Sequence, residues 1–394
     1  MRILQVGTGF FSIPPNGAGA VETAVHNISK HLAERGHDIY VIDFARDMDR
    51  ISPYKVKFVF SHVGSHGKVE HVLSGIGFGL MSSFQIFKLL KREKFDVVHF
   101  NNQFSGLWGI RVARHFGVPS VYTVHSAAWG LGGEGVALRN RFTLGQEIVC
   151  MKSASRVIVV SEYLRERITN CLGVDTGKVA VVPNGVDTDV FKPSICSSNL
   201  RDKVSPRGEI VILNVARIAP YKNQMALLKA FGLLSEKNLR AKLLFVGPID
   251  DRAYFSEIQK VIFERKLRDS VTIFGQTSFL TLLQLYSLAD IVVLPSITEG
   301  LPLAVLEAMA CGKAIIASNI GPNKELLDGI GVLVDPCDEK CLASSLSSLI
   351  EDPRTREKMG NQARTVAMKD YTWDAITKRV EQVYTELSSA SYHW

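Results

Sequence analysis

Two glutamates in the second half of the chain, Glu299 and Glu307, have seven residues between them and follow a short apolar run, Ile291–Leu294. Such a run is typical of a buried strand. Glu299 then falls in a loop, and Glu307 lies about one turn into a helix that begins near Pro302, where proline is favoured. The free amides at such a helix start can bind phosphate. Spacing alone leaves a second interpretation open, in which the glutamates merely suit the helix dipole.

Two cations, Arg217 and Lys222, follow the first apolar run of the same half, Ile210–Val215. Ligands of parallel α/β sheets bind beyond the carboxyl ends of the strands, so we expect both cations at the same edge as the glutamate loop. Arginine offers a planar fork to phosphate oxygens and lysine a compact charge. Together with a helix N-terminus they predict a diphosphate site. The alternative is a pair of solvated surface cations.

The elements that must position these residues follow from the alternation of short apolar runs with helical patterns. This alternation is typical of βαβ units and a parallel sheet. The runs rich in β-branched residues are 3–6, 39–44, 97–100, 120–124, 157–160 and 179–182 in the first half, and 210–215, 243–246, 271–274, 291–294, 314–317 and 332–334 in the second. We therefore predict an α/β protein of two doubly wound, Rossmann-like domains that face a central cleft.

The domain boundaries are placed from composition. The polar stretch KPSICSSNLRDKVSPRG has two prolines, and residues 195–208 within it are the best candidate for a linker. It separates a first domain, residues 1–194, from a second domain, residues 209–371. The length of 394 residues agrees with two or three domains.

Several motifs resemble those of the retaining GT-B glycosyltransferases of family 4, the group 1 glycosyltransferases. The resemblance rests on the Arg217/Lys222 pair and on the glutamate spacing within EGLPLAVLEAMACGKAIIAS. It extends to GAGAVE after the first strand, and to ERGHDIYVI, YTVHS, VIVVSEYLRE, VVPNGVDTDVF and YTWDAITKRVEQVY. It thus covers nearly the whole chain. The glutamate motif is specific in combination with the cation pair, whereas the glycine loop alone is weak.

The resemblance implies a nucleotide-sugar donor, such as a UDP- or GDP-sugar, bound by the second domain. Arg217 and Lys222 would bind the diphosphate and stabilise it as the leaving group. Glu307 would hold the ribose hydroxyls, and Glu299 the donor sugar. The loop and helix start at Gly300 and Leu303 would bring backbone amides to the phosphate or the sugar.

The same resemblance makes the first domain the acceptor side and assigns it three residues. His125, in YTVHS, would contact the donor sugar. Gly17 and Gly19 would let the backbone approach the phosphate, which a Cβ would obstruct. The loop reads GAGA where many relatives have adjacent glycines, so the amide contact is left open. The C-terminal helix, about 372–394, is expected to pack back on this domain.

The implied reaction is sugar transfer to an acceptor hydroxyl, of a lipid-linked molecule or a glycan, with retention of the anomeric configuration. The catalytic set is expected to be His125, Arg217, Lys222 and Glu299. The alternatives within enzymes are a GT-B epimerase acting on nucleotide sugars and a phosphorylase. A different class is a non-catalytic nucleotide-sugar-binding protein, against which the intact set of charged residues argues.

No metal or other cofactor is expected. Two Asp-x-Asp pairs, Asp47/Asp49 and Asp187/Asp189, have the spacing of Mg2+ ligands, but one lies in a polar loop and the other in the NGVD turn. We interpret both as structural. Two cations and a helix dipole can neutralise a leaving group without a metal.

Charge is distributed unevenly. Residues 1–194 carry a formal charge of +6 of the total +7. A basic half favours an anionic partner, or is a generic solubility charge. Leu80, Phe84 and Phe87 share a helical face that is followed by Lys88, Lys91, Arg92 and Lys94. This stretch predicts either a peripheral membrane contact or a core helix with a solvated end.

Several classes are excluded by absent patterns. The sequence has no run of about 18 uninterrupted apolar residues, so no transmembrane helix is expected. The N-terminus does not resemble a signal peptide. The six cysteines form no CxxC pair and are expected to be reduced thiols in a cytoplasmic protein. A GxGxxG dehydrogenase motif and any nucleic-acid-binding motif are missing, so no nucleic-acid partner is expected.

Overall fold

A computed structural model describes residues 1–14, 19–44, 52–59, 68–126, 138–194, 198–236 and 240–389. The chain forms two compact units. The N-terminal unit comprises Met1–Asn184 together with Trp373–Trp394, and the C-terminal unit comprises Gly185–Thr372.

The N-terminal unit contains a parallel sheet of seven strands, ordered β3-β2-β1-β4-β5-β6-β7. The strands are β1 (Arg2–Val6), β2 (Asp38–Phe44), β3 (Lys55–Val59), β4 (Val97–Phe100), β5 (Ser120–Val124), β6 (Arg156–Val159) and β7 (Val179–Val181). The helices are α1 (Ala20–Glu34), α2 (Lys68–Arg92), α3 (Gln103–His115), α4 (Leu138–Ser153) and α5 (Glu162–Leu172). A last helix, α14 (Trp373–Ser389), packs with α1 over a core that contains Ile3, Val97 and Val121.

The C-terminal unit contains a parallel sheet of six strands, ordered β10-β9-β8-β11-β12-β13. The strands are β8 (Ile210–Val215), β9 (Ala241–Val246), β10 (Val271–Gly275), β11 (Ile291–Leu294), β12 (Ala314–Ser318) and β13 (Val332–Val334). The helices are α6 (Ser198–Val204), α7 (Gln224–Glu236), α8 (Arg252–Glu264), α9 (Phe279–Leu288), α10 (Leu303–Ala310), α11 (Gly321–Leu327), α12 (Glu339–Glu351) and α13 (Pro353–Asp370).

The predicted class, two doubly wound parallel α/β domains, is confirmed, and each predicted apolar run is a strand. One strand, β3, was missed. It lies at the edge of its sheet and reads KVKFV, with an exposed lysine at its start. Lysines in an edge strand disfavour pairing with another chain. They also interrupt the continuous apolar run from which buried strands are predicted, so β3 was not recognised.

The domain boundaries differ from those expected, since the second unit begins at Gly185 instead of residue 209. Phe191, expected in the first domain, packs edge-to-face on Phe279 and Tyr286 of the C-terminal unit. The expected linker contains α6, whose Arg201 pairs with Asp290 at 3.4 Å. The polar, proline-containing stretch that was predicted as a linker therefore includes a short helix of the second unit. The two were confused because solvated helices and linkers share that composition.

Helix α2 is the one helix of the described residues that is long and apolar enough to span a membrane, over Val72–Arg92. Within the unit it packs closely on α3. A Cβ at Gly75 would lie 2.5 Å from the Phe104 ring, and a Cβ at Gly79 2.3 Å from the Phe104 carbonyl oxygen. Phe78 and Ile86 are fully buried. One face of α2 is thus a core face of this unit.

Candidate functional site

The loops that carry the predicted C-terminal site are joined at the carboxyl edge of the second sheet. Strands β8 and β11 are neighbours, so the segments that follow them meet. The Ile297 amide donates to the Tyr221 carbonyl oxygen at 2.9 Å. The Asn223 side chain donates to the carbonyls of Pro295 and Pro336, from a left-handed backbone with φ of 56°. These bonds fix the position of the intervening residue, Lys222.

Lys222 and Glu299 form an ion pair. The Lys222 Nζ lies 2.6 Å from Glu299 Oε1, and their side chains are only 15% and 9% exposed. Two predicted site residues, 77 positions apart in sequence, are therefore in direct contact. Little water remains to screen the pair, so each charge holds the other in place more firmly than at a surface.

Arg217 lies in a more open position. Its guanidinium is 3.5 Å from Asp250, with side chains 57% and 46% exposed, and it lies 5.8 Å from the centre of the Tyr221 ring. An exposed pair of this kind contributes little stability, so an anionic ligand can replace Asp250. Nearby, Gly247 has a φ of 143°, and a Cβ there would lie 2.1 Å from the Ala216 carbonyl oxygen. Only glycine allows the end of β9 to approach the segment that leads to Arg217.

Glu307 lies in α10 and accepts a hydrogen bond from the Tyr286 hydroxyl of α9 at 2.7 Å. Burial raises the pKa of Glu307 to about 7, although the Tyr286 hydrogen bond lowers it. Its carboxyl group therefore changes charge near neutral pH. As a carboxylate it can accept hydrogen bonds from vicinal hydroxyls.

The start of α10 adds backbone donors. Pro302 is its N-cap, and Gly300, Leu301 and Pro302 are buried. The first amides of a helix, here beginning with Leu303, have no acceptor within the helix and carry the positive end of its dipole. The residues predicted from Gly300 to Glu307 thus form one strand–loop–helix segment beside Lys222.

In the N-terminal unit, His125 follows β5 and is partly buried. Its Nε2 lies 3.1 Å from the Oδ1 of Asn101, which follows β4. Burial lowers the pKa of His125 to about 4, so the imidazole is neutral at neutral pH. A neutral imidazole offers one donor and one acceptor, which suits hydroxyl groups.

The glycine loop after β1 is described in part. Gly17 lies outside the described residues. Gly19 is the N-cap of α1 with a φ of 128°, and a Cβ there would lie 2.6 Å from Glu22 Oε2. Glu22 is buried and hydrogen-bonds the Thr8 hydroxyl, and burial raises its pKa. The local structure thus explains why residue 19 is a glycine, because its φ is positive and a Cβ would crowd the buried Glu22 carboxyl group.

The described Asp-x-Asp pair, Asp187 and Asp189, lies in a turn. Asp187 Oδ1 accepts from the amides of Asp189 and Val190, both at 3.1 Å, which closes a turn. No cluster of three or more potential metal ligands occurs within the described ranges. Asp47 and Asp49 lie outside them.

Three polar residues that contact the site residues were missed by sequence reasoning. Asp250 pairs with Arg217, Tyr286 with Glu307, and Asn101 with His125. Tyr286 lies in a mainly apolar helix, FLTLLQLYSL, and a tyrosine in such a helix often has a hydrogen-bond partner for its hydroxyl when it is buried. Asn101 follows a buried strand at the ligand-binding edge, a position that could have marked it. Asp250 lies in a polar turn and has no such mark.

Comparison with known proteins gives two family matches. Residues 19–190 match the model "Glycosyltransferase Family 4", and residues 198–366 match "Glycosyl transferases group 1". Among curated relatives, the UDP-Gal:alpha-D-GlcNAc-diphosphoundecaprenol alpha-1,3-galactosyltransferase of Escherichia coli is 30% identical, over 77% of this chain and 78% of its own. The D-inositol 3-phosphate glycosyltransferase of Pseudarthrobacter chlorophenolicus is 27% identical, over 92% and 90%.

Solved structures share the fold over the whole chain. Sucrose-phosphate synthase from Thermosynechococcus elongatus has a TM-score of 0.84 at 24% identity and covers 99% of this chain and 100% of its own. Anabaena HepE in complex with UDP-glucose has a TM-score of 0.78 at 22% identity, with coverage of 99% and 100%. These likenesses show that the chain shares the fold of these proteins.

Proposed function

The chain belongs to the group 1 glycosyltransferases of family 4 type, and from this premise we propose that it transfers a sugar from a nucleoside diphosphate to an acceptor hydroxyl with retention of configuration. Glycosyltransferase activity with a nucleotide-sugar donor follows from the family. The proposal concerns the roles of the residues, the stereochemistry and the acceptor. The observation that carries it is the partly buried Lys222–Glu299 pair beside the start of α10.

Lys222, Arg217 and the first amides of α10 stabilise the departing diphosphate. As the bond between the anomeric carbon and the phosphate oxygen breaks, negative charge builds up on that oxygen. Lys222 is held by Glu299, so its ammonium group needs little reorganisation to meet this charge. Arg217 is exposed enough to leave Asp250 for the diphosphate. The two cations and their two carboxylates sum to no net charge, so the helix amides supply the remaining positive potential.

Glu307 and Glu299 bind hydroxyl groups of the donor. Glu307, oriented by Tyr286, accepts hydrogen bonds from the ribose. Glu299 uses one carboxylate oxygen for Lys222 and keeps the other for the sugar. His125 of the N-terminal unit is a further ligand of the donor sugar. These three roles come from the resemblance. They are supported by the neutral ring of His125 and by the single described side-chain partner of each glutamate, Tyr286 for Glu307 and Lys222 for Glu299.

Retention is proposed to follow front-face substitution. The acceptor hydroxyl attacks the anomeric carbon on the face from which the diphosphate departs. The new carbon–oxygen bond forms as the carbon–phosphate oxygen bond breaks, and the hydroxyl proton passes to the departing phosphate oxygen. Glu299 is engaged with Lys222 at 2.6 Å, which favours a ligand role over that of a covalent nucleophile.

The donor is tested by thermal shift with UDP, GDP and ADP sugars, followed by transfer of labelled sugar from the best ligand. Binding to the folded state raises the melting temperature according to affinity. UDP-sugars are the first choice, because the HepE structure contains UDP-glucose. Product stereochemistry is then assigned by NMR. Inversion of the anomeric centre would overturn the front-face mechanism, and binding without transfer to any acceptor would favour a non-catalytic protein.

The acceptor is proposed to be presented at an anionic membrane surface on the cytoplasmic side. The outer face of α2 exposes Leu80, Met81, Phe84 and Phe87, which are 39–56% accessible. Lys88 lies 4.3 Å from the centre of the Phe84 ring. The cations Lys88, Lys91, Arg92 and Lys94 are exposed at the end of this face. Apolar side chains flanked by cations suit the boundary between lipid headgroups and acyl chains.

Vesicle sedimentation tests this surface. The wild type should bind anionic vesicles more than neutral ones and lose binding in high salt, because each Lys or Arg near such a surface contributes about 1 kcal/mol. Lys88→Glu/Lys91→Glu should abolish the difference. Lys340→Glu/Lys358→Glu, at exposed positions of the C-terminal unit, is the matched control and should retain it. Equal binding to neutral and anionic vesicles would contradict the proposal and leave the charge as a solvated face.

A further inference from the structure

A chain of hydrogen-bonded polar side chains runs through the core of the N-terminal unit. Gln5 of β1, His99 of β4 and Thr123 of β5 occupy neighbouring strands on the same side of the sheet, where α14 places Tyr384. Gln5 is 1% exposed, His99 2% and Tyr384 0%. Every polar group here needs a partner, because burying one without a hydrogen bond is costly.

The chain continues to the carboxyl edge through Asn101 and His125. Asn101 Nδ2 lies 3.2 Å from the Val6 carbonyl oxygen and 3.3 Å from Gln5 Oε1, and Asn101 Oδ1 lies 3.1 Å from His125 Nε2. Asn101 is 7% exposed, so these contacts replace water. His125 is thus connected through its neighbour to a backbone carbonyl.

The direction of each hydrogen bond follows from the Val6 carbonyl, which can only accept. The nitrogen of the Asn101 amide must face it, since the opposite orientation would place two oxygens together. The Oδ1 atom of Asn101 then faces His125 and can only accept. His125 therefore donates, and the proton of its neutral ring resides on Nε2.

The remaining bonds agree with this direction. Gln5 Nε2 donates to the Tyr384 hydroxyl at 3.0 Å, which leaves Gln5 Oε1 to accept from Asn101. The Tyr384 hydroxyl, having accepted, donates to His99 Nδ1, and His99 Nε2 then donates to Thr123. Burial lowers the pKa of His99 to about 3, so His99 is neutral and has one donor and one acceptor, as this order requires.

We propose that Asn101 is a positioning residue that holds His125 as its Nε2–H tautomer, so that Nδ1 is the atom that accepts a hydrogen bond from a substrate hydroxyl. The tautomer stands on the geometry of the N-terminal unit alone. The identity of the hydroxyl, on the donor sugar or the acceptor, rests on the proposed function. With the other tautomer, Nδ1 would carry the proton and could no longer accept from that hydroxyl.

NMR of protein labelled with 15N-histidine reads the tautomer directly. At pH 7.5 we expect the Nδ1 of His125 at the chemical shift of an unprotonated ring nitrogen and Nε2 at that of a protonated one. The resonance is assigned by its absence in His125→Gln. An Nδ1–H tautomer in the wild type, or equal amounts of both, would overturn the inference without any reference to activity.

Variants separate positioning from stability. Asn101→Ala should give mixed tautomers and lower kcat/KM on the order of tenfold, about the effect of losing one hydrogen bond. Tyr384→Phe removes a hydroxyl from the buried chain but leaves Val6 and Asn101, so it should lower the melting temperature and leave the tautomer unchanged.

The outcomes distinguish this inference from the proposed function. An unchanged tautomer in Asn101→Ala would overturn the role of Asn101, whether or not the enzyme transfers sugar. A lost tautomer with unchanged kcat/KM would overturn the role of Nδ1 as an acceptor. An Nε2–H tautomer that depends on Asn101, in a protein that transfers no sugar, would support the positioning and contradict the proposed function.

Discussion

The carboxyl edges of the two sheets are built from different kinds of interactions. In the C-terminal unit, the edge carries ion pairs, with Lys222 on Glu299 and Arg217 beside Asp250. In the N-terminal unit, His125 is neutral and is held by amide and hydroxyl groups that lead back to Tyr384. The two units have the same architecture, so the difference arises from the side chains that follow the strands.

This difference matches the two parts of a nucleotide sugar. A diphosphate is charged, and cations already held by carboxylates can meet it with little reorganisation. A sugar offers hydroxyls, for which neutral donors and acceptors of fixed direction are sufficient. A full charge on His125 would have to be desolvated, because the contact described for its ring is with the neutral amide of Asn101. The edges are therefore expected to respond differently to substitution, to pH and to metal removal.

Removal of the Lys222 ammonium group is expected to have the largest effect. Lys222→Ala should lower kcat roughly 100- to 1,000-fold, because one preorganised contact to developing charge contributes about 2.7–4 kcal/mol. It also leaves Glu299 without its counterion. Steady-state kinetics with saturating donor measures the change.

Lys229→Ala is the matched control for Lys222. Lys229 pairs with Glu339 at 2.9 Å in the same unit, but the two side chains are 41% and 37% exposed. The variant should keep kcat within about twofold, since exposed pairs contribute about 0–1 kcal/mol. Comparable losses in both variants would show that the Lys222 effect is not specific to the leaving group.

Arg217→Ala should act mainly on donor affinity. Arg217 is more exposed than Lys222 and rests against Asp250 and Tyr221. Loss of a charge-assisted hydrogen bond contributes about 1.5–3 kcal/mol, so the KM for the donor should rise about 10- to 100-fold. Arg268→Ala, which removes a guanidinium that lies over Phe263 in the same unit, should leave KM unchanged. An unchanged KM in Arg217→Ala would remove this residue from the diphosphate site.

The pH response should distinguish the two edges. The pKa of Glu307 is raised to about 7, so its carboxylate is lost as pH falls from 8 to 6, and the donor KM should rise up to about tenfold over that interval. The pKa of His125 is lowered to about 4, so its ring stays neutral throughout. His125→Gln should therefore retain the pH dependence of KM.

Tyr286→Phe sharpens this test. The Tyr286 hydroxyl lowers the pKa of Glu307, so its removal should move the rise in KM to higher pH. At pH 7 the KM should be about two- to tenfold above that of the wild type, the value of one typical hydrogen bond. Tyr254→Phe serves as the control, since that hydroxyl accepts from the Met225 amide away from Glu307. An unmoved pH profile in Tyr286→Phe would show that another group titrates.

The sequence predicted the fold and much of the C-terminal edge. Strands such as Val97–Phe100 and Ile291–Leu294 were predicted with their observed bounds, because buried parallel strands form continuous apolar runs. The meeting of Lys222 and Glu299 followed from the rule that ligand-binding residues collect at one sheet edge. The predicted site roles remain predictions.

The hydrogen-bond partners of the site residues were not predicted, because they depend on contacts between elements that are distant in sequence. The partners of Glu307 and His125 are defined by helix α9 and strand β4, and no local pattern links Tyr286 or Asn101 to them. The polar chain that ends at His125 involves Tyr384, 259 positions later, in a helix predicted only as a terminal element. Edge strand β3 was missed because its lysines interrupt the apolar pattern.

The smallest expected effect is that of metal removal. Transfer should retain its rate in excess EDTA if Lys222, Arg217 and the α10 amides, as proposed, neutralise the diphosphate in the way that Mg2+ does in other transferases. The described carboxylates near this edge are engaged, Glu299 with Lys222, Asp250 with Arg217 and Glu307 with Tyr286. Each of these contacts occupies one carboxylate oxygen, which leaves fewer oxygens to chelate a metal. Initial rates before and after dialysis against EDTA, with Lys222→Ala in parallel, provide the measurement. Loss of activity that Mg2+ or Mn2+ restores would show that a metal, and not the cation pair alone, stabilises the departing diphosphate.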